Sequence, residues 1–373
     1  MAIYLDHAAT TPISDIALAE FNKQLQQIGN PSSLHNYGRE QRRALEEARE
    51  KIAAYIKCAP SEIIFTGSGT EADNLAIKGL YWKSEKAGKK VIVISAFEHK
   101  AVLEPAEWLV EKEGAELIQI PITSAGIVDL DFLRDLVAKR GPEIALISVM
   151  HSNNEIGALQ PIDKVIEIAG EIPVHCDAVQ SLLKIPVSFV GLTALTLSAH
   201  KIGGPVGIGA LVLKRGLDIP ALLHGGGQER EIRSGTLNTA AICAFAAALT
   251  EFPSEKIAAL RDRLITGIKS LAPDALINTP ANSLPGIVNA SFPGTKGETL
   301  LLLMDMEGIA CSTGSACSAG VHRPSHVLLA LGRTEDQAIG TLRFSLGAQS
   351  TDADVDKLLQ VLPGVIEKAR LAK

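Results

Sequence analysis

The chain has 373 residues, of which 46% are hydrophobic and 21% charged, a balance typical of a globular protein large enough for two domains. A net charge of −6 and an aromatic content of 4% argue against a nucleic-acid-binding surface or base-stacking platforms. Because no apolar run is long enough to cross a bilayer and the N-terminus lacks a signal-peptide pattern, we expect a cytoplasmic protein without membrane partners.

Strands and helices are predicted to alternate from residue 62 to about residue 213. Short apolar runs predict strands at Glu62–Thr66, Val91–Ser95, Glu116–Ile120, Glu143–Val149, Ile172–His175 and Leu192–Leu197. Between them, apolar residues at helical spacing predict helices at Thr70–Lys86, Ala101–Glu113, Leu130–Lys139 and Ile162–Ala169. This alternation predicts an α/β fold with a mostly parallel sheet flanked by helices, and a site at the carboxyl ends of its strands.

The pattern changes after His224. The remaining predicted elements are an apolar helix at Asn238–Phe252, a helix capped by Ser254 and ending near Leu271, alternating segments at Ile287–Phe292 and Thr341–Leu346, and a helix from Asp352 onwards. This order predicts a smaller α+β domain. We expect residues 16–257 to form the large domain, and residues 1–15 with 258–373 to form the small one.

A glycine-rich loop between the first predicted strand and helix has the sequence TGSGTE at residues 66–71. Its backbone N–H groups suit a phosphate, although a plain tight turn fits equally well. The pattern Gly67-x-Gly69-x-x-Ala72 also fits a dinucleotide fingerprint, which needs an acidic residue at the end of the next strand. The strand from Val91 ends in Ser95 instead, so a phosphate is favoured over a nicotinamide cofactor.

A lysine and an aspartate follow two later strands. Lys201 comes between an apolar strand and a glycine-rich turn, where a confined lysine can form a Schiff base with an aldehyde. Asp177 ends the preceding strand, where a carboxylate can keep the pyridine nitrogen of pyridoxal phosphate protonated. Ser198 and His200 could bind the phosphate. Each signal is weak alone, since lone lysines are usually solvated and aspartates often cap helices, but their order is specific.

The five cysteines are odd in number and scattered, which favours reduced thiols over disulfides. We expect four of them to be small buried residues, namely Cys58, Cys176, Cys243 and Cys311. Cys317 lies in a loop of small residues at about 311–323, before a helix that should begin at Pro324 and Ser325. His322 and Arg323 would favour its thiolate, so Cys317 is predicted to be reactive.

Together these residues resemble the cysteine desulfurases, the NifS/IscS-like group of the class V, fold-type I pyridoxal-phosphate-dependent aminotransferases. The resemblance runs nearly end to end. It rests on the segments YLDHAATTP at 4–12, GNPSSLH at 29–35, EHKAVL at 98–103, NNEIG at 153–157, SAHK at 198–201, HGGGQER at 224–230, RSGT at 233–236 and RFSLG at 343–347.

The resemblance implies roles for individual residues. Lys201 would bind the cofactor covalently and later move protons, Asp177 would pair with the pyridine nitrogen, and His99 would stack on the ring as an acid/base. Alone, His99 would more typically be a helix-terminus partner. The remaining implied contacts are Asn154 and Gln180 to the ring's phenolic oxygen, Gly69, Thr70, Ser198 and His200 to the phosphate, Thr236 to the phosphate of the other subunit of a homodimer, and Arg343 with Asn30 to the substrate carboxylate.

The implied reaction converts L-cysteine to L-alanine and leaves sulfur as a persulfide on Cys317. The sulfur would pass to an acceptor such as an iron–sulfur scaffold or a tRNA-thiolation protein, and the loop length is typical of the IscS-like group. No resident metal is expected, although Cys317 is a candidate transient ligand of an iron–sulfur cluster. The alternatives are a selenocysteine lyase or cysteine-sulfinate desulfinase, and a protein that mainly docks and regulates a partner.

Overall fold

The computed structural model describes residues 3–314 and 324–372. Its strands are β1 (Ile3–Tyr4), β2 (Ile63–Thr66), β3 (Val91–Ser95), β4 (Glu116–Ile120), β5 (Ile144–Ser148), β6 (Val174–Asp177), β7 (Ala194–Ser198), β8 (Gly209–Leu213), β9 (Leu276–Ile277), β10 (Ile287–Ser291), β11 (Ile309–Ala310) and β12 (Thr341–Ser345). Its helices are α1 (Asp15–Leu25), α2 (Asn36–Ile56), α3 (Gly69–Glu85), α4 (Lys100–Glu113), α5 (Leu130–Arg140), α6 (Ile162–Ala169), α7 (Thr239–Ala248), α8 (Ser254–Leu271), α9 (Gly297–Met306), α10 (His326–Ala330), α11 (Glu335–Ile339) and α12 (Asp352–Leu371).

A seven-stranded sheet forms the centre of the first part of the chain, in the order β2-β8-β7-β6-β5-β3-β4. Strands β3 to β7 run parallel to their neighbours among themselves, whereas β8 runs antiparallel to both β7 and β2. The prediction of an α/β fold with a mostly parallel sheet is therefore confirmed. Strand β8 was not predicted.

Helices cover both faces of this sheet, which explains why its strands are apolar throughout. Successive residues of β2 show the two faces, since Ile63 packs with α2 and α7 residues while Ile64 packs with α3 and α4 residues. In a parallel sheet the strand ends with the same polarity meet at one edge. The ends of β6 and β7 therefore lie side by side, with Asp177 in register with Thr196.

The C-terminal part of the chain contains an antiparallel sheet in the order β12-β10-β9. Leu5 packs into the core that this sheet forms with α8, α9 and α12, and β1 pairs in parallel with β11. The first residues thus lie against the C-terminal part of the chain. The domain limits at residues 15 and 257 stay a prediction.

Two details of the predicted helices are wrong. Helix α7 ends at Ala248 and not at Phe252, because Leu249 leaves helical geometry with a ψ of 77°. Ser254 does not cap α8 but is its first residue, after Pro253, and its hydroxyl donates to the carbonyl of Lys184 at 2.9 Å. Within residues 3–314 and 324–372, no helix is both long and apolar enough to cross a membrane.

Candidate functional site

A cavity of about 300 Å³ opens at the carboxyl ends of β6 and β7, between the N-termini of α3 and α4. Most of the predicted site residues line it. They are Gly69, Thr70, His99, Asn154, Asp177, Gln180, Ser198, His200, Lys201 and Arg343. The fold therefore brings into one place residues that come from six separate stretches of the sequence.

Three predicted site residues are not among those that line this cavity. Asn30 is exposed, and its side-chain Oδ1 accepts a hydrogen bond from the N–H of Ser32 at 2.9 Å, so this chain alone does not bring it to Arg343. Thr236 is exposed as well. Cys317 lies outside the described residues.

Lys201 ends a short 3₁₀ turn that directly follows β7. Its Nζ donates to the carbonyl oxygens of Ala8 at 2.7 Å and Ala9 at 2.6 Å. The N-terminal segment is held to the same turn, because the N–H of Thr11 donates to the carbonyl of His200 at 3.0 Å. The amine is thus fixed by backbone that sequence reasoning did not connect with it.

Asp177, at the end of β6, is a buried carboxyl beside a second one, Asp73 of α3. Burial raises the pKa of both, and the negative charge of Asp177 raises the pKa of Asp73 further. The N–H of Val179, which donates to Asp177 Oδ1 at 2.8 Å, and the charge of Lys201 favour ionised Asp177. The shared environment therefore places the proton on Asp73 and the negative charge on Asp177.

Asp73 was missed by sequence reasoning. The available signal was an acidic residue between Ala72 and Leu75, within the apolar face of the predicted helix. That signal marks a buried carboxyl only when the second face of the helix is also covered. Here the covering layer is the sheet, whose position depends on contacts far along the chain.

His99 is the N-cap of α4, and its Nδ1 accepts from the N–H of Ala101 at 3.1 Å. This bond puts the ring proton of the neutral form on Nε2. Burial, and then the positive charge of Lys201, lowers the pKa of His99 to about 4. His99 therefore both caps α4 and lines the cavity, and its ring is neutral at physiological pH.

The N-terminus of α3 offers a place for an anion, since Ser68 caps it and Gly69 is its first residue. A Cβ at Gly69 would lie 3.0 Å from Val179 Cγ2 and 3.4 Å from Ser198 Cβ. Only glycine leaves this space open. His200 also lines the cavity, and burial followed by the charges of Lys201 and Lys184 lowers its pKa to about 4.

Gln180 is held in one orientation. Its Nε2 donates to the Ala8 carbonyl at 2.8 Å, and its Oε1 accepts from Lys184 Nζ at 3.3 Å. The carbonyl of Ala8 thus receives bonds from both Gln180 and Lys201. Neither Ala8 nor Lys184 was identified from the sequence as part of the site.

Arg343 lies on β12 and is buried, with its Nη1 donating to the carbonyl of Asn154 at 3.0 Å. Its Nη2 lies 2.7 Å from Asp6 Oδ1, a partner that the sequence did not reveal. Its Nε is buried, and no described residue accepts a hydrogen bond from it. A buried donor without an acceptor is costly, so this nitrogen suits an anionic group in the cavity.

The described residues on both sides of the predicted cysteine loop lie at the cavity or at the start of α10. Gly314 lines the cavity. The helix predicted to begin at Pro324 and Ser325 begins instead at His326, and Ser325 is its N-cap. The Ser325 hydroxyl also donates to Glu155 Oε2 at 2.6 Å. Cys311 directly follows β11 and is buried, and burial raises the pKa of its thiol to about 12.

The other cysteines agree largely with expectation. Cys176 and Cys243 are buried, whereas Cys58 is only half-buried. Burial raises the pKa of Cys58 to about 12 and that of Cys243 to about 11. All of these thiols are therefore protonated at neutral pH and unreactive as nucleophiles.

Comparison with known proteins gives a consistent family assignment. The model of the family described as aminotransferase class-V matches residues 3–358. An "IscS-like cysteine desulfurase" of Mycobacterium tuberculosis is 45% identical, covering 99% of this chain and 97% of the relative. A "cysteine desulfurase IscS" of Dictyoglomus turgidum is 44% identical, covering 99% and 95%.

Solved structures give the same result for the fold. A structure titled "NIFS-like protein" superposes with a TM-score of 0.90 at 36% identity, covering 99% of this chain and 100% of that one. A structure titled "SspA in complex with cysteine" superposes with a TM-score of 0.81 at 33% identity, covering 94% and 100%.

Proposed function

We propose that this chain, which belongs to the class-V aminotransferase family, is a cysteine desulfurase that uses pyridoxal 5'-phosphate. It converts L-cysteine to L-alanine and leaves the sulfur as a persulfide on Cys317. One observation carries the proposal: Asp177 ends β6, Lys201 follows the adjacent parallel strand β7, and the carboxyl and the amine line one cavity. The names of the 44–45% identical relatives and the cysteine-bound solved structure support the reaction.

The residues around the cavity fit pyridoxal 5'-phosphate. The cradle at Gly69, which a Cβ would fill, lies at a helix N-terminus suited to the phosphate, beside Ser198. Asp177 supplies a buried carboxylate for the pyridine nitrogen, and Lys201 supplies the amine for the aldehyde. When bound, the cofactor supplies an electron sink for the bonds at the substrate's α-carbon.

Lys201 has two tasks in this proposal. Its amine would be the attachment point for the cofactor and, when free, would be the base that takes the α-proton of the substrate. The Ala8 and Ala9 carbonyls, at 2.7 and 2.6 Å from Nζ, hold the freed amine close to the cavity. Amine and proton therefore stay within one confined space during the reaction.

Asp177 and His99 act through their charge states. Asp177 stays ionised because Asp73 holds the proton of the pair, so it can bond a protonated ring nitrogen. His99 stays neutral, with its proton on Nε2, and can stack on the ring without adding a positive charge. Gln180 and Asn154, which line the same cavity, would bond the phenolic oxygen.

Arg343 would bind the substrate carboxylate. Its guanidinium is anchored by Asp6 and by the carbonyl of Asn154, while Nε remains available to an anion in the cavity. A guanidinium suits a carboxylate because it offers several N–H donors in a fixed plane. The anchoring orders the guanidinium before substrate arrives.

Cys317 performs the sulfur transfer. Its thiolate attacks the substrate sulfur, so that an S–S bond forms while the Cβ–S bond of the substrate breaks. The electron pair of the broken bond stays with the carbon skeleton, which takes up protons and leaves as L-alanine. The product on the protein is the persulfide.

The proposal extends to partners and setting. The protein acts as a homodimer, in which exposed Thr236 reaches the phosphate site of the other subunit. The persulfide passes to an acceptor protein, such as an iron–sulfur scaffold or a tRNA-thiolation protein, in the cytoplasm. Cys317 could also hold an iron–sulfur cluster transiently during that transfer.

Replacing Lys201 with alanine tests the cofactor assignment. The wild-type protein should bind pyridoxal 5'-phosphate covalently after borohydride reduction, with the added mass on Lys201. Lys201→Ala should show no added mass and no alanine release from L-cysteine. Covalent attachment to another lysine, with full alanine release, would contradict the assignment.

Replacing Cys317 with serine tests the nucleophile, and Cys311→Ser is the matched control because the Cys311 thiol is buried and protonated. Mass spectrometry after incubation with L-cysteine should find one added sulfur on Cys317 in wild type and in Cys311→Ser. Cys317→Ser should bind the cofactor and release no alanine. Alanine release by Cys317→Ser would instead favour a lyase that needs no thiol.

A further inference from the structure

A second lysine, Lys184, lies close to the reactive amine although the proposed mechanism does not use it. Lys184 and Lys201 both line a small cavity of about 100 Å³ on the side of Lys201 towards His7 and Gly347. Two ammonium groups in so small a space are unfavourable unless other groups hold them. The contacts of Lys184 show what holds it.

Three hydrogen bonds connect the two amines. Lys184 Nζ donates to Gln180 Oε1 at 3.3 Å, and Gln180 Nε2 donates to the Ala8 carbonyl at 2.8 Å. The same carbonyl accepts from Lys201 Nζ at 2.7 Å. Ala8 thereby joins the side chains of Gln180 and Lys201.

Burial, and then the charges of Lys201 and Arg343, lowers the pKa of Lys184 to about 7. While it is protonated, Lys184 fixes the orientation of the Gln180 amide. An ammonium group only donates, so the amide must turn its oxygen towards Lys184 and its nitrogen towards Ala8. The reversed amide would place two donors together at Lys184 and two carbonyl oxygens together at Ala8. Lys184 itself is positioned by the Ser254 hydroxyl, which donates to its backbone carbonyl at 2.9 Å.

We propose that Lys184 is a positioning residue for the Lys201 site, which orients the Gln180 amide and, when protonated, places a second positive charge beside the reactive amine. The inference rests on the proposed function for the role of Lys201, but not for the contacts themselves. A nearby like charge favours the neutral form of an amine, which is the form that attacks an aldehyde or takes a proton.

Several other charged or titratable groups face this region from the elements packed around it. They are Asp177 at the end of β6, His99 at the start of α4, His200 in the turn after β7, Arg343 on β12, and His7 and Glu251 at the small cavity. Asp177 favours the charged amine and Lys184 opposes it. Without Lys184, the negative charge of Asp177 should therefore favour the charged form of the Lys201 amine without an opposing positive charge.

The test measures the pH dependence of the reaction of Lys201 with acetic anhydride, in the full-length protein freed of cofactor, by mass spectrometry of the acetylated peptide. In Lys184→Met the profile of Lys201 should move to higher pH by about half a unit or more over the pH range in which wild-type Lys184 is protonated, since one neighbouring positive charge is lost. Lys184→Arg keeps a positive charge at every pH and should not move the profile to higher pH. Lys164→Met, which removes an exposed lysine paired with Glu167, is the matched control and should leave the profile unchanged.

A second readout is the dissociation constant for pyridoxal 5'-phosphate. We expect it to rise about threefold to tenfold in Lys184→Met, the size expected when one oriented hydrogen bond is lost, and to stay near the wild-type value in Lys184→Arg. Lys184→Gln provides a second uncharged variant should Lys184→Met fail to fold, as judged by circular dichroism.

An unchanged acetylation profile in a folded uncharged variant, or an equal shift in Lys164→Met, would overturn the inference. The two proposals fail separately. If wild type releases alanine from L-cysteine and the profile does not move, only the role of Lys184 is wrong. If wild type binds no pyridoxal 5'-phosphate, the proposed function is wrong, while the acetylation profile still reports whether Lys184 acts on Lys201.

Discussion

Asp6 Oδ1 lies 2.7 Å from Arg343 Nη2, so residues 337 positions apart in the sequence form one ion pair. The Arg343 side chain is almost fully buried, while that of Asp6 is 20% exposed. A buried guanidinium that loses its carboxylate keeps its desolvation cost without the compensating attraction. The pair therefore stabilises the junction between the N-terminal segment and β12.

Asp6→Asn should lower the free energy of unfolding by about 2–3 kcal/mol, measured by urea denaturation. Asp274→Asn is the control, because Asp274 pairs with Arg370 at the surface, where both side chains are partly exposed. That change should cost less than about 1 kcal/mol. Equal losses in the two variants would show that burial does not strengthen the Asp6 pair.

The two buried carboxyls should respond differently to the same substitution. Asp73 holds the proton of the pair, so Asp73→Asn replaces one neutral group with another and should change kcat by less than about tenfold. Asp177→Asn removes the negative charge required at the pyridine nitrogen and should lower kcat by about a hundredfold or more. Steady-state alanine release measures both, and comparable losses in the two variants would contradict the assignment of the proton.

Gly69→Ala should weaken cofactor binding without weakening the fold. The new methyl group would meet Val179 Cγ2 at 3.0 Å and narrow the space assigned to the phosphate. We expect the dissociation constant for pyridoxal 5'-phosphate, measured by equilibrium dialysis, to rise about tenfold or more. Gly364→Ala is the control, because Gly364 is an exposed α12 residue whose Cβ would meet nothing within 4 Å. Wild-type affinity in Gly69→Ala would place the phosphate elsewhere.

His175 should contribute an acid-dependent part of the stability. It is fully buried between Ser148 and Thr196, and burial lowers its pKa from 6.5 to about 3. Below pH 6.5 the unfolded chain binds a proton that the folded chain does not, so this contribution is complete above pH 6.5 and falls as pH decreases towards 3. Between pH 6.5 and pH 5 the loss is about 2 kcal/mol.

His175→Gln lacks this proton binding, although the substitution itself also destabilises the protein. The informative quantity is therefore the change in unfolding free energy between pH 6.5 and pH 5, which should be about 2 kcal/mol more favourable to the variant than to wild type. Comparing this change removes the opposing effects of other buried groups, such as Glu98, whose pKa burial raises to about 8. Parallel pH profiles would contradict the prediction.

The parts of the fold that the sequence predicted well are those determined locally. The bounds of β3, β4 and α6 were predicted to the residue, because apolar runs or helical spacing end there at turn-forming residues. Strand β8 was missed, since its antiparallel position between β2 and β7 depends on pairing with residues far along the chain. The local sequence pattern does not indicate that pairing.

The candidate site divides in the same way. Asp177, Ser198 and Lys201 follow predicted strands, and parallel strand ends converge, so their common position could be inferred from the sequence. Asp73 and Lys184 could not be identified, because each looks like an ordinary helix or turn residue. Asp73 is significant because it is buried beside Asp177, more than a hundred residues away. Lys184 is significant because it lies beside Gln180, across a turn.

The N-terminal segment that holds Lys201 is itself joined to the end of the chain, since the N–H of Ala8 donates to the Ser345 hydroxyl at 2.9 Å and the N–H of Ser345 donates to the Leu5 carbonyl at 2.7 Å. During synthesis on the ribosome, residues 5–9 emerge before the strands of the seven-stranded sheet, whereas β12 emerges after them. The seven-stranded sheet can therefore form while the site is still incomplete. A nascent chain acquires a finished site only after β12 has left the exit tunnel.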